Sequence, residues 1–314
     1  MLAASILLAL LAVALAWPVP VILARARWAP RAPALALFLW QAIALAGGLS
    51  MLGALVTFGL IPFGPTLLSG AGKFLSELFS GDHSVNAGLA YLLCDCAAVL
   101  LAAHLIFNLV LTIVSAEQQR HRHRQLVYLL ASPDPERPGT HVIDSAAPVA
   151  YCLPVGLRSM TVFSAGLVAL LTADELRAVV AHERAHITQR HDLLLVAFRA
   201  WHLSLPWFPI AYRAEREVEI LVELLADDRA RHLVADGTLA AAIIRVAAEN
   251  SVAIDSSAPL PRQGSATVAT AELRVSRLLS PMPAPSRPTQ LLVIALGIAL
   301  IVAPAYLLVF PIYG

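Results

Sequence analysis

Ala181-His182-Glu183-Arg184-Ala185-His186 is the stretch from which the rest of the chain is best read. It has the form H-E-x-x-H. At about 3.6 residues per turn, positions i and i+4 lie one above the other on one helix face. His182 and His186 can therefore offer two imidazoles to one tetrahedral metal ion. Glu183 sits one step round the helix, close enough to hold a water and take its proton. The spacing points to metal-assisted hydrolysis. The helix that carries it has a marked start. Thr172-Ala173-Asp174-Glu175 reads as a capping box, a hydroxyl at the N-cap and a carboxylate three residues on. Leu176, Val179 and Val180 then supply an apolar face. A surface helix with two solvated histidines is the competing reading.

A zinc site needs a third protein ligand and an open position. The candidate lies 37 residues after His186, in Glu223-Leu224-Leu225-Ala226-Asp227-Asp228. Glu223 and Asp227 are again i and i+4 on an expected helix. Glu223 would complete a His-His-Glu set, and Asp227 would orient a ligand histidine through its free ring N–H. Glu215, Glu219, Glu223 and Asp227 form one acidic stripe, however, so spacing leaves Glu219 open as the ligand. A solvated charged face is the alternative for this helix.

H-E-x-x-H followed by E-x-x-x-D resembles the pattern of membrane-embedded gluzincin peptidases, among them the CAAX prenyl protease/HtpX group and the BlaR/MecR-type sensor metallopeptidases. The second group is the closer likeness. It extends over Pro148–Pro154, Thr161–Leu167, the Asp174-Glu175-Leu176 lead-in, Arg190-His191-Asp192 and Trp207-Phe208-Pro209. In all it covers roughly residues 149–279. The resemblance implies zinc as cofactor, with His182, His186 and Glu223 as ligands, Glu183 as general base and Asp227 in support. It also implies that Met160–Ser164 is a strand edging the cleft and pairing with an extended substrate. The chain departs from the best-known sensors in carrying no external domain after its last span, so antibiotic capture is not expected.

The surrounding chain is strongly apolar: 59% hydrophobic and 14% charged over 314 residues, with a mean hydropathy of +0.74. Such a balance excludes an ordinary soluble domain. The net charge of +1 gives no nucleic-acid footprint. Three cysteines make no disulfide framework, and the Cys94/Cys96 pair reads as apolar filler within a span. Four apolar runs are long enough to cross a bilayer, at about residues 2–23, 34–60, 87–115 and 290–308. Gly47, Gly48 and Gly53 suit close helix packing. Arg25, Arg27 and Arg31 follow the first run, and Arg120–Arg124 follow the third. By the positive-inside bias both termini lie outside and the segment between spans three and four is cytosolic. Asp95, His104 and Asn108 within the third run are expected to make helix-packing hydrogen bonds.

Residues 132–140 read as a loop, Val149–Val155 and Met160–Ser164 as short strands, and Leu193–Ala211 as a helix against the membrane. Further helices are expected at Arg213–Leu233, Leu239–Ala248 and Ala271–Leu279, with a loop over Ser251–Thr270. Ser76–Phe79 reads as a short interfacial helix. The predicted fold is a mainly α integral membrane protein. Three spans occupy 1–116, a zincin-like α+β metallopeptidase domain 117–289, and the fourth span 290–314. The predicted function is a zinc-dependent endopeptidase cleaving a protein substrate at the cytosolic face, as the output of a signalling or regulatory pathway. Its expected partners are a protein or peptide substrate, such as a repressor or a membrane protein, and the lipid bilayer. The alternative is a non-catalytic receptor or scaffold with a relic metal site. Tyr151, Arg229, His191 and His232 are the residues considered for stabilising an oxyanion.

Overall fold

The computed structural model describes residues 1–80, 87–134, 140–155, 158–206, 209–254, 268–280 and 282–310. In chain order the helices and strands begin with α1 (Leu2–Ala16), α2 (Pro18–Ala24), α3 (Pro33–Gly59), α4 (Leu67–Ser80) and α5 (Leu89–Leu130). Strands β1 (Ala131–Pro133), β2 (Thr140–Ile143), β3 (Ala150–Val155) and β4 (Arg158–Ser164) follow. Then come α6 (Ala165–Leu170), α7 (Ala173–Thr188), α8 (His191–Ser204) and α9 (Pro209–Ala230). The last are α10 (Asp236–Ile254), α11 (Val268–Leu279) and α12 (Arg287–Val309). The protein is thus mostly helical with one small sheet. By contacts it divides into two compact units. One comprises Met1–Thr112, Ala197–Val218 and Ala284–Gly314, the other Ile113–Val196 and Glu219–Pro283.

Leu2–Ala24, Pro33–Gly59 and Arg287–Val309 of the first unit, and the helix Leu89–Leu130, which begins in it and ends in the second, are long and apolar enough to cross a membrane. They point to a multi-pass membrane protein. The first run is not one smooth helix. Pro18 cannot donate a backbone hydrogen bond, so α1 ends at Trp17 and α2 restarts on the proline. The helix α3 is the packing centre. A methyl group at its Gly53 would come within 3.0 Å of Leu308 on α12 and 3.2 Å of Leu8 on α1. One at Gly297 of α12 would collide with the Phe38 ring of α3. Gly48 lets Trp201 approach, whereas Gly47 makes only ordinary contact with Leu15. His104 Nε2 lies 3.0 Å from the carbonyl oxygen of Ser204, and the Asn108 amide donates to the His104 carbonyl at 2.9 Å, as the packing reading expects. Asp95 fits against Gly59, with no room there for a Cβ.

α5 outruns the expected third span. After Ser115 the chain reads Ala-Glu-Gln-Gln-Arg, all adequate or strong helix formers, so nothing stops the helix before Leu130. Likewise α4 is longer than the short helix expected at Ser76–Phe79. The exposed large residues of α5 and α12 are mostly Leu, Ile, Val and Phe. Lipid is the solvent that suits such faces.

The second unit holds the H-E-x-x-H helix. The strands order as β1-β2-β4-β3, with β2 parallel to β4 and the other pairings antiparallel. β4 is therefore an interior strand, flanked on both sides. Met160–Ser164 cannot be the substrate-pairing edge that the resemblance implies; the edge on that side is β3. β1 and β2 fall partly where a loop is expected, because strands of three and four residues among prolines leave no alternation to read. Residues 135–139 lie outside the described residues, as do 255–267 of the expected Ser251–Thr270 loop, whose two ends belong to α10 and α11.

Two apolar clusters seat α7. Its Leu176 joins Phe163 of β4, Leu167, Leu171 and Ala242. Its Ala178 and Ala181 join Ala230 of α9, Leu239 and Ala240 of α10, and Leu278 of α11. Alanine at those contacts allows close helix approach, which brings α9 and α11 within reach of the histidine face.

Candidate metal centre

The capping box fixes where α7 begins. The Thr172 hydroxyl accepts from the Glu175 amide at 3.3 Å, and Glu175 Oε2 accepts the Thr172 N–H at 2.8 Å. About three and four turns on from Thr172, the same helix sets His182 and His186 with their Nε2 atoms 3.1 Å apart. Glu223 of α9 closes the triangle, 3.3 Å from His182 Nε2 through one oxygen and 3.5 Å from His186 Nε2 through the other. Three tetrahedral donors bound to zinc at about 2.0–2.1 Å stand about 3.3–3.4 Å from one another. Two imidazoles and a carboxylate are a donor set that zinc takes, and one ligand atom from each lies within 4.8 Å of the other two. Glu219 is exposed on α9 and is not among the three residues brought together.

Asp227, one turn beyond Glu223, is almost fully buried and accepts the Nδ1–H of His182 at 2.9 Å. That bond leaves His182 Nε2 facing Glu223. A residue that the sequence did not single out sits above both carboxylates. Arg274 of α11 donates from NH1 to Glu223 Oε2 at 2.9 Å, and from Nε and NH2 to the two oxygens of Asp227 at 2.8 and 2.7 Å. It is 8% exposed, a burial that a guanidinium accepts only among partners. Arg277 of the same helix pairs with both oxygens of Asp228 at 2.7 and 2.8 Å, which pins α11 to α9 a second time.

His186 has different support. Its Nδ1 lies 3.1 Å from Nδ1 of His191, the first residue of α8. The other oxyanion candidates are elsewhere: Arg229 and His232 are exposed, and Tyr151 sets its ring against that of His123. Cys152's side chain lies outside the described residues.

The electrostatics follow from these contacts. Burial is the largest influence on His182 and acts downward, with Arg274. Hydrogen bonds to Asp227 and Glu223 outweigh them and carry its pKa up to about 9. His186, desolvated and next to a charged His182, is pushed down to about 4. Burial lifts Glu183 to about 7, against the pull of His182. Burial would raise Glu223 and Asp227 too, but His182 and Arg274 hold both below the usual carboxylate range. Without metal the proton therefore rests on His182, and metal binding there expels it.

Residues 116–205 match the family model of Peptidase family M48. The matched segment contains His182, Glu183, His186 and His191, and stops before Glu223. It supports a zinc metallopeptidase. No curated protein and no solved structure is similar enough to the chain to register as a match.

Proposed function

We propose that the protein is a membrane-embedded zinc endopeptidase acting on protein substrates at the cytosolic face. One observation carries it: His182 and His186 of α7 and Glu223 of α9 bring one ligand atom each to within 4.8 Å of one another, on the helix that also carries Glu183. In this assignment His182, His186 and Glu223 hold the ion, and Asp227 keeps His182 in the tautomer that presents Nε2. When bound, zinc supplies a Lewis acid that polarises a carbonyl and acidifies water. Glu183 accepts the proton of the attacking water and passes it to the leaving amine nitrogen.

β3 gives the substrate its place. It runs beside α7, and among the described residues no strand covers its outer edge. An extended peptide adding to that edge would gain main-chain hydrogen bonds on a strand that packs against α7. The positive charges after the first and third spans support a cytosolic metal centre, and the likeness to BlaR/MecR-type sensors supports a role as the output of a signalling pathway.

Glu183→Gln is the decisive variant. It should keep one zinc per chain while losing proteolysis of a substrate found by comparing the membrane and cytosolic proteins of wild-type and variant cells. A variant that keeps full cellular function would favour the scaffold reading. For the topology, a reporter fused after Gly314 should be active outside the cytoplasm and one near Ser257 inside; activity of both on one side rejects the four-span arrangement.

A further inference from the structure

Histidines that bind a metal through one ring nitrogen almost always donate the other N–H to an oxygen acceptor. His182 does so, to Asp227. His186 does not: among the described residues its Nδ1 meets another imidazole, His191 Nδ1, at 3.1 Å. The two rings stand edge to face, at 87°, with centroids 4.9 Å apart. His191 is 2% exposed, and its own Nε2 is buried with no partner among the described residues. The backbone that delivers it is strained as well. Arg190, between α7 and α8, has φ 50°, a left-handed conformation that a side chain with a Cβ seldom takes. An unsatisfied ring nitrogen and a strained residue side by side are features that folding alone does not favour, and strain of this kind gathers at functional sites.

We infer that His191 is the positioning residue of His186, its Nδ1 lone pair accepting the Nδ1–H of His186 so that His186 Nε2 stays free for the metal. The inference rests on the metal centre proposed above. The proton count leaves one arrangement. A neutral imidazole carries a single proton. If His186 is to bind through Nε2, that proton is on Nδ1 and needs an acceptor. His191 accepts with Nδ1 only when its own proton is on Nε2, the buried atom without a partner. The choice of a histidine rather than a carboxylate also has a reason. Glu183, Glu223 and Asp227 already bring three carboxylates to the centre, against the one guanidinium of Arg274, and a further carboxylate would offset the positive charge of a bound ion. A neutral acceptor holds the ring without that effect.

The test is zinc binding by the full-length, detergent-purified protein after metal removal, by competition with a chromophoric chelator. Thermal unfolding of the metal-free protein is measured in parallel. His191→Leu should weaken zinc binding about 10–100-fold, the usual effect of removing such a partner, with no loss of metal-free Tm. His191→Asn, whose amide oxygen sits close to the place of Nδ1, should recover binding to within a few-fold of wild type. His191→Gln carries its oxygen farther out, near the place of Nε2, and should bind as weakly as His191→Leu; it gives the comparison even where leucine does not fold. Asn and Gln variants equal in affinity, or a leucine variant as tight as wild type, would overturn the positioning role while leaving the metal centre in place. A wild-type protein that takes up no zinc would overturn both.

Discussion

The two histidines of α7 are four residues apart and stand in unlike surroundings. His182 faces the α9 and α11 side, where Asp227, Glu223 and Arg274 form a buried ionic network. His186 faces α8, where its only described side-chain partner outside the three proposed ligands is a neutral imidazole. The first side is held by charge and tied to the stability of the metal-free protein. The second is held by one uncharged contact and a strained turn, and matters chiefly once metal is present. The sides should therefore fail differently: damage to the network shows without metal, and damage around His191 shows in the binding of metal.

The largest effect is expected at Arg274. Replacing it by leucine leaves the charges of the buried Asp227 and the part-buried Glu223 balanced only by His182. Losing one partner of a buried ion pair costs about 3–5 kcal/mol. Metal-free Arg274→Leu should unfold well below wild type. Saturating zinc should recover part of that difference, because a bound cation restores positive charge beside Glu223 and Asp227. Thermal scans with and without zinc check this; an equal Tm drop in both would mean that Arg274 does not serve as the charge balance of the network.

A milder change on the same side is Asp227→Asn. The amide oxygen still accepts the His182 Nδ1–H, but the charge facing His182 and Arg274 is gone. Zinc binding should weaken about tenfold, and metal-free Tm should fall as well. That second loss is what separates this variant from His191→Leu. If Asp227→Asn weakens zinc binding with no change in metal-free stability, the two sides do not differ in the way described.

How much of this was legible follows from the range of each interaction. The capping box, the His182/His186 pair and the Glu223/Asp227 pair are local patterns, three or four residues long, and sequence periodicity reveals them directly. Arg274 is 47 residues from Asp227. It is one of 22 Lys and Arg, and nothing beside it in the chain marks it as buried. Only the docking of α11 selects it. His191 is five residues from His186, a spacing that an unbroken helix does not put on one face. It meets His186 only because the chain turns at Arg190. The sheet was half legible. The pairing of β3 with β4 is a hairpin of neighbours, but β2 inserts on the far side of β4 and so moves the free edge to β3. The apolar spans were legible through length and composition, whereas the first run was read as unbroken and its break at Trp17 emerges only in the structure.

The smallest effect tests that turn. Arg190 occupies the residue after the α7 C-cap, where glycine is usual because it alone takes a left-handed φ without strain. Arg190→Gly relieves strain of roughly 1 kcal/mol and loses part of it to the greater freedom of the unfolded chain. It should shift Tm by no more than a few degrees and leave zinc affinity unchanged. Arg190→Val, β-branched, resists that φ. It should lower both Tm and zinc affinity by displacing His191 from His186. Glycine and valine variants that bind zinc equally well would show that the α7–α8 turn does not set the position of His191, and the weak side of the centre would then depend on the packing of α8 alone.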